Sequence, residues 1–172
     1  MAGVVCVLAA VALPRLLAPI DRARGLSAAR YLAARMALAR AQAVSRSAAI
    51  ALRFESGDRG TTFGVYQDGN GNGVLTRDIE TRTDRMIDRP VLLADVFPGA
   101  EIALMPNVPA TEPVQLGGGS LMSFTPSGTS SSGSIYIRGK DGTQWVVRVL
   151  GATARARVLR YRPTTRDWVN VS

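Results

Sequence analysis

The chain has 172 residues, of which 47% are hydrophobic and 20% charged, so it can build one domain with a packed core and is too apolar to be disordered. It has no His, and its one Cys, Cys6, lies in an apolar run, which excludes an internal disulfide, Cys/His zinc sites and most nucleophile–base pairs. The net charge of +8 is segregated: residues 1–54 carry +7, residues 55–137 carry −5 and residues 138–166 carry +7, with Asp167 adding −1.

Residues 2–13, Ala-Gly-Val-Val-Cys-Val-Leu-Ala-Ala-Val-Ala-Leu, form an apolar plug closed by Pro14. Val4, Val5, Val7, Leu8, Val11, Leu13 and Pro14 are the residues expected to sit in a membrane or in the core of a packed fibre. A spanning helix needs about 20 apolar residues, yet the run stops at Leu13 and resumes only past Pro14 and Arg15. No basic residue precedes it and no small-residue cleavage site follows it, unlike a secretory signal. The expectation is a membrane helix whose first residues are missing because the start was assigned too late.

Residues 26–46 contain neither Pro nor Gly and are rich in Ala, Leu, Met, Arg and Gln, which predicts a helix. Its apolar side is broad, with Leu26, Tyr31, Leu32, Met36 and Leu38 expected to supply the bulk that packs on a sheet. Pro19 and Gly25 read as soft points between this helix and the plug. The domain organisation expected is a helix over 1–46, whose 1–24 portion is the membrane or fibre-core part, and a β-rich head over 47–172.

From Ile50 the period changes to two, with Ile50, Leu52 and Phe54 alternating with Ala51, Arg53 and Glu55. A turn over 56–60 leads to a second strand, Thr61–Tyr66. Asp68-Gly-Asn-Gly-Asn-Gly73 is turn-prone, and residues 74–90 are polar and mixed in charge, with Ile79, Met86 and Ile87 as anchors. Val91–Leu93 and Glu101–Met105 read as short strands around Phe97-Pro-Gly, and 106–120 as a loop. Leu121–Phe124, Ser134–Arg138, Gln144–Leu150 and Thr153–Tyr161 read as strands. A helix followed by antiparallel strands is an α+β order.

Several segments together carry a family resemblance. They are the plug ending Val-Ala-Leu-Pro14, the run Ala28-Ala-Arg-Tyr-Leu-Ala-Ala-Arg-Met-Ala-Leu-Ala-Arg-Ala-Gln-Ala-Val44, and the strand Ile50-Ala-Leu-Arg-Phe54. Phe124-Thr-Pro-Ser-Gly-Thr-Ser-Ser-Ser-Gly-Ser-Ile-Tyr-Ile137 and Arg148-Val-Leu-Gly-Ala-Thr-Ala-Arg-Ala-Arg-Val158 complete them. In this order the chain resembles the GspH/FimT pseudopilins over nearly its whole length. The resemblance implies a pilin-like fold: a long, S-shaped, membrane-inserted N-terminal helix packed on an antiparallel β-sheet head. It also implies a single-pass protein of the bacterial inner membrane with its head in the periplasm. The partners it implies are other pseudopilins of a type II secretion pseudopilus or a pilus-like fibre, the inner-membrane assembly platform, and a prepilin peptidase if the true start lies upstream. The family's leader and its Gly-Phe-(Ser/Thr)-Leu-(Ile/Val)-Glu site are not found before Val4, and Ala154 stands where the family's last hairpin has Gly.

The resemblance also implies an alternative. FimT-type members contact DNA during uptake through a Gly-Arg-x-Arg hairpin, and Arg155 and Arg157 match those arginines as weak nucleic-acid contacts. The head lacks the cysteine pair common in FimT-like chains, which leans towards secretion. Asp68, Asn70 and Asn72 match half of a calcium loop, but Ile79 stands where the closing acid belongs, so the segment reads as a turn. Asp78, Glu80, Asp84 and Asp88 read as a solvated face, Trp145, Tyr161 and Trp168 as packing, and Thr129–Ser132 as a loop. No catalytic residue, metal ligand or cofactor is expected; the function expected is structural.

Overall fold

The computed structural model describes residues 2–117 and 119–171, with side chains from Pro19 onward. Cys6 and the plug residues Val4, Val5, Val7, Leu8, Val11, Leu13 and Pro14 therefore lie outside the described side chains, although the helical backbone runs through them.

The first helix, α1, spans Ala2–Arg46 without interruption. Pro19 and Gly25 do not break it, contrary to the soft points expected from the sequence. Gly25 is there for close approach: a Cβ would stand 2.7 Å from Nε1 of Trp145, so the indole lies directly against the helix backbone. The helix stops at Ser47, which adopts φ 51° and donates its N–H to the Val44 carbonyl, a left-handed C-terminal cap made without glycine.

One face of α1 is buried. Ala28, Ala29, Leu32, Met36, Ala39 and Ala43 follow the 3.6-residue repeat, and all six are essentially inaccessible. Four of them are alanines, so the helix lies close to the sheets, and Leu32 and Met36 fill the space between. Deleting either side chain back to Ala would cost about 2–5 kcal/mol. Leu26 and Tyr31 pack at the edge of this core, but Leu38 is exposed, contrary to expectation. The alanine-rich composition hides which stripe faces in.

Two antiparallel sheets follow. The first has the order β3-β2-β1-β6, built from β1 (Ile50–Gly57), β2 (Gly60–Gln67), β3 (Arg85–Leu92) and β6 (Leu121–Phe124). The second has the order β10-β9-β8-β7-β4, with β5 also pairing with β7. Its members are β4 (Glu101–Ile102), β5 (Val114–Leu116), β7 (Gly133–Arg138), β8 (Gln144–Leu150), β9 (Arg155–Arg162) and β10 (Asp167–Asn170). Helix α1 contacts both sheets, through β1 and β6 and through β7, β8 and β9. The molecule is thus α+β and pilin-like, with Ile50, Leu52, Phe54, Ile135, Ile137, Val147 and Val158 completing the core under the helix.

The expected strands at 50–55, 61–66, 121–124, 134–138 and 144–150 are present, the first running on to Gly57. Four other expectations change. The mixed-charge segment 74–90 holds a short helix, α2 (Thr76–Glu80), and the start of β3, an edge strand that tolerates Pro90 because one of its sides has no ladder to break. Leu93, read as strand, opens α3 (Leu93–Val96) and is fully buried. The 106–120 loop contains β5, and the chain forms one more strand, β10, after Tyr161. The helices and the strands β5 and β10 are only three to five residues long, too short for a local period to announce them.

Candidate functional surfaces

Three surfaces combine chemistry with placement. The first is the loop over 68–84, which folds back on the outer side of the first sheet. There Val74 joins Ala51 and Tyr66 in a second small core, with Ile79 and Leu121 packed around it. Asp68, Asp78 and Asp84 are all buried, which overturns the solvated face expected for Asp78 and Asp84. Buried carboxylates need donors, and the turn supplies them. Asp68 accepts the N–H groups of Asn70, Gly71 and Gly73 at 3.0, 2.8 and 2.9 Å. Asp84 accepts those of Gly69 and Leu75 at 3.0 and 2.9 Å. Asp78 accepts the side-chain amides of Asn72 and Asn70 at 2.9 and 3.4 Å. The Asn72 amide is the main cause holding the Asp78 carboxyl below its ordinary range; burial opposes it, and Asn70 and Arg77 add to it. Asp88 is different: it pairs with Arg35 and ties β3 to the helix. Among the described residues no group of three or more His, Cys, Asp or Glu is arranged to hold a metal.

The second surface is the arginine-bearing hairpin β8–β9. Arg155 and Arg157 are exposed on one side of β9, and the register places Leu150 opposite Arg155 and Arg148 opposite Arg157. Arg148 donates to Ser134 at 3.3 Å, whereas Arg155 and Arg157 have no hydrogen-bond or ion-pair partner among the described residues. Arg138 belongs to the other end of β7 and pairs with Glu101 at 2.6 Å. The turn into β9 keeps the geometry a glycine would favour: Ala154 sits at φ 49° and donates to the Leu150 carbonyl at 2.8 Å. The hydroxyl run before β7 closes the adjoining edge. Ser131 Oγ accepts the Ser123 N–H, and Ser132 Oγ accepts the Gly151 N–H, both at 2.9 Å.

The third surface is the outer side of α1. Ala23, Ser27, Arg30, Ala34, Leu38 and Ala41 are exposed at helical spacing, on the side away from the buried stripe. The aromatics lie elsewhere. Trp145 is buried against Gly25, while Trp168 lies between Tyr161 and Tyr136 in tilted contacts, with ring centroids 5.0 and 5.7 Å away. A groove of about 670 Å³ separates the two sheets, with Phe54, Thr61, Val114, Leu116 and Ser120 among its walls.

The model of the type II transport protein GspH matches residues 28–153, from the buried stripe of α1 to the turn before β9. The chain belongs to the GspH family. The head is also similar in structure to the minor pseudopilin EpsH from the type 2 secretion system of Vibrio cholerae. That likeness has a TM-score of 0.52 and 16% identity, covers 80% of this chain and 97% of the other, and is one of fold. No curated protein matches the sequence. The family match takes in the Phe124–Ile137 segment and stops just before Arg155 and Arg157.

Proposed function

We propose that this GspH-family chain is a minor pseudopilin, a non-catalytic structural subunit of a type II secretion pseudopilus or a related fibre. In this reading residues 1–24, with Val4, Val5, Val7, Leu8, Val11, Leu13 and Pro14, anchor the chain in the inner membrane and enter the fibre core, and 47–172 form the periplasmic head. The observation that carries it is the division of α1: an alanine-rich face buried in the head, and an opposite face, left open to a neighbouring helix, on which the small residues Ala23, Ser27, Ala34 and Ala41 stand with Arg30 and Leu38. Small side chains let helix backbones approach closely. Other pseudopilins and the assembly platform are the partners this implies. The lack of His and the internal satisfaction of the buried acids support a structural role. Among the described residues no helix is long and apolar enough to cross a membrane, so the anchor reading rests on the plug. The test is Ala34→Cys and Ala41→Cys in a secreting cell. Oxidative cross-links to another pseudopilin, formed without loss of secretion, are expected; cross-links to none, with secretion unaffected by deleting the gene, would overturn the reading.

A second reading is weak, sequence-independent DNA binding during uptake. The unpartnered pair Arg155 and Arg157, beside Arg148, supports it. Phosphate contacts from arginine require no base readout.

A further inference from the structure

The strand order of the second sheet decides which turns share an end. In the antiparallel run β7-β8-β9-β10, the turns at 139–143 and 163–166 lie at one end and the turn at 151–154 at the other. Helix α1 runs between these ends. Gly25 meets Trp145 and Gly139 near the first, and Ala37 and Arg40 share a hollow with Ala154 and Arg155 near the second. At 1.5 Å per residue, Arg22 and Arg40 stand about 27 Å apart along the axis. The two arginine groups of β9 are therefore separate surfaces, and the end that carries Arg160, Arg162 and Arg166 is the end from which the N-terminal part of the helix leaves the head.

A cleft of about 650 Å³ opens at that end, with Arg22, Asn107, Thr143, Arg160, Arg162 and Arg166 in its walls. No carboxylate lines it. Two carboxylates stand close by and both are engaged: Asp141 pairs with Arg22 at 3.4 Å and is bonded by the hydroxyl and N–H of Thr143, and Asp167, opposite Arg162 on β10, accepts the Thr165 hydroxyl. Arg160, Arg162 and Arg166 have no hydrogen-bond or ion-pair partner among the described residues. Tyr161 also lines the cleft, donating its hydroxyl to the Asn107 carbonyl at 3.3 Å, and the Trp168 ring lies tilted against it just outside the lining. Free guanidiniums around a cleft that also takes in Tyr161 match a membrane–water boundary, where arginine meets phosphate and Tyr prefers the headgroup level.

The geometry points to this cleft as a docking surface for the phosphate headgroups of anionic phospholipids, which seats the base of the head on the membrane that holds the helix. The inference rests on the anchor reading above. Docking fixes the tilt of the head over the bilayer, because contact at this end holds the opposite end, with Arg155 and Arg157, away from the surface.

The test uses the full chain reconstituted into phosphatidylcholine vesicles, with or without phosphatidylglycerol. Trp168 is the reporter, since the chain has two tryptophans and Trp145 is buried. Acrylamide quenching of Trp168 is expected to fall at least twofold when phosphatidylglycerol is present, and to recover at about 1 M salt, where the screening length is roughly 3 Å. Each arginine removed should weaken docking about fivefold, so Arg160→Gln/Arg162→Gln/Arg166→Gln should weaken it roughly a hundredfold, while Arg155→Gln/Arg157→Gln leaves it intact. The lipid and salt arms need no variant. Failure to insert into either vesicle overturns the anchor reading and the docking with it. Insertion into both with equal quenching overturns the docking alone. Protection in neutral vesicles by inorganic phosphate or by an acidic peptide would assign the cleft to a soluble anion or a protein partner, and would also overturn it.

Discussion

The acidic loop over 68–84 and the basic strand β9 treat their charges in opposite ways. In the loop, Asp68, Asp78 and Asp84 turn inward and are used up by the chain's own donors. On β9, Arg155, Arg157, Arg160 and Arg162 find no acceptor. The cause is the backbone beneath each. A glycine-rich turn leaves N–H groups without partners, and a carboxylate is an acceptor-only group that can take several of them. In β9 the ladders to β8 over 155–160 and to β10 over 159–162 take up backbone carbonyls, and arginine is a donor-only group that must find its acceptor outside the strand. The acids therefore hold the fold together, and the net positive charge is left for partners outside it.

The largest expected effect breaks the loop side of this contrast. Asp84→Ala leaves the Gly69 and Leu75 N–H groups without acceptors beneath a covered surface. It should destabilise the head by about 2–4 kcal/mol in urea unfolding, whereas Arg162→Gln should change stability by less than about 0.5 kcal/mol. Comparable losses for both would show that the two regions do not differ in kind.

The next effect belongs to the other side. If Arg148, Arg155 and Arg157 engage phosphates, duplex binding should weaken about 40-fold as salt rises from roughly 50 to 200 mM, the counterion-release slope for three contacts. We expect binding to be weak at low salt and largely gone near physiological salt. Gel-shift titration of the full chain and of Arg155→Ala/Arg157→Ala measures this. Submicromolar affinity at physiological salt, abolished in the double variant, would make DNA uptake the leading function.

A smaller effect concerns Asp78. Its folded-state pKa is lowered below the ordinary 3.8, so its contribution to stability is complete above that value and lost as pH falls through the folded one. The melting temperature of the wild type should drop more steeply below about pH 4 than that of Asp78→Asn. Parallel curves would show that the Asn72 and Asn70 contacts do not favour the charged form.

How far this contrast was readable in the sequence differs between its halves. The strand at 50–55 announces itself by its period of two, because Ile50, Leu52 and Phe54 meet the core under the helix, and the strand at 144–150, buried on both sides over 144–147, by the turns that flank it. The helix announces itself through composition, but its buried stripe does not, because alanine looks alike inside and out; hence Leu38 was misplaced. Asp78 and Asp84 sit in a segment of mixed charge that reads as solvated, and only the return of Val74 onto Ala51 and Tyr66 puts them under cover. The arginines of β9 were legible as an exposed pair, Arg155 and Arg157. The grouping of Arg22 with Arg160, Arg162 and Arg166 was not, because it joins residues more than a hundred positions apart through the strand order.

The smallest effect lies where the two behaviours meet. Arg35 on the helix pairs with Asp88 on β3, joining a basic element to the acidic middle of the chain. The pair is half in water: the Arg35 side chain is 20% exposed and that of Asp88 43%. Water screens the attraction, and holding two side chains in one geometry costs rotamer entropy, so exposed pairs of this kind contribute roughly 0.2–1 kcal/mol. Arg35 also has an Nε that is buried without a partner, which lowers the pair's net contribution further. The stem of Arg35 should matter more than its charge, because it lies along the apolar side of the helix. Arg35→Met should therefore keep most of the stability that Arg35→Ala loses. A double-mutant cycle with Asp88→Asn should return a coupling below about 1 kcal/mol that shrinks with added salt. A coupling above about 2 kcal/mol, insensitive to salt, would mean that the chain treats this pair like the buried acids of the loop, and the division between inward acids and outward arginines would then need to be redrawn at the helix.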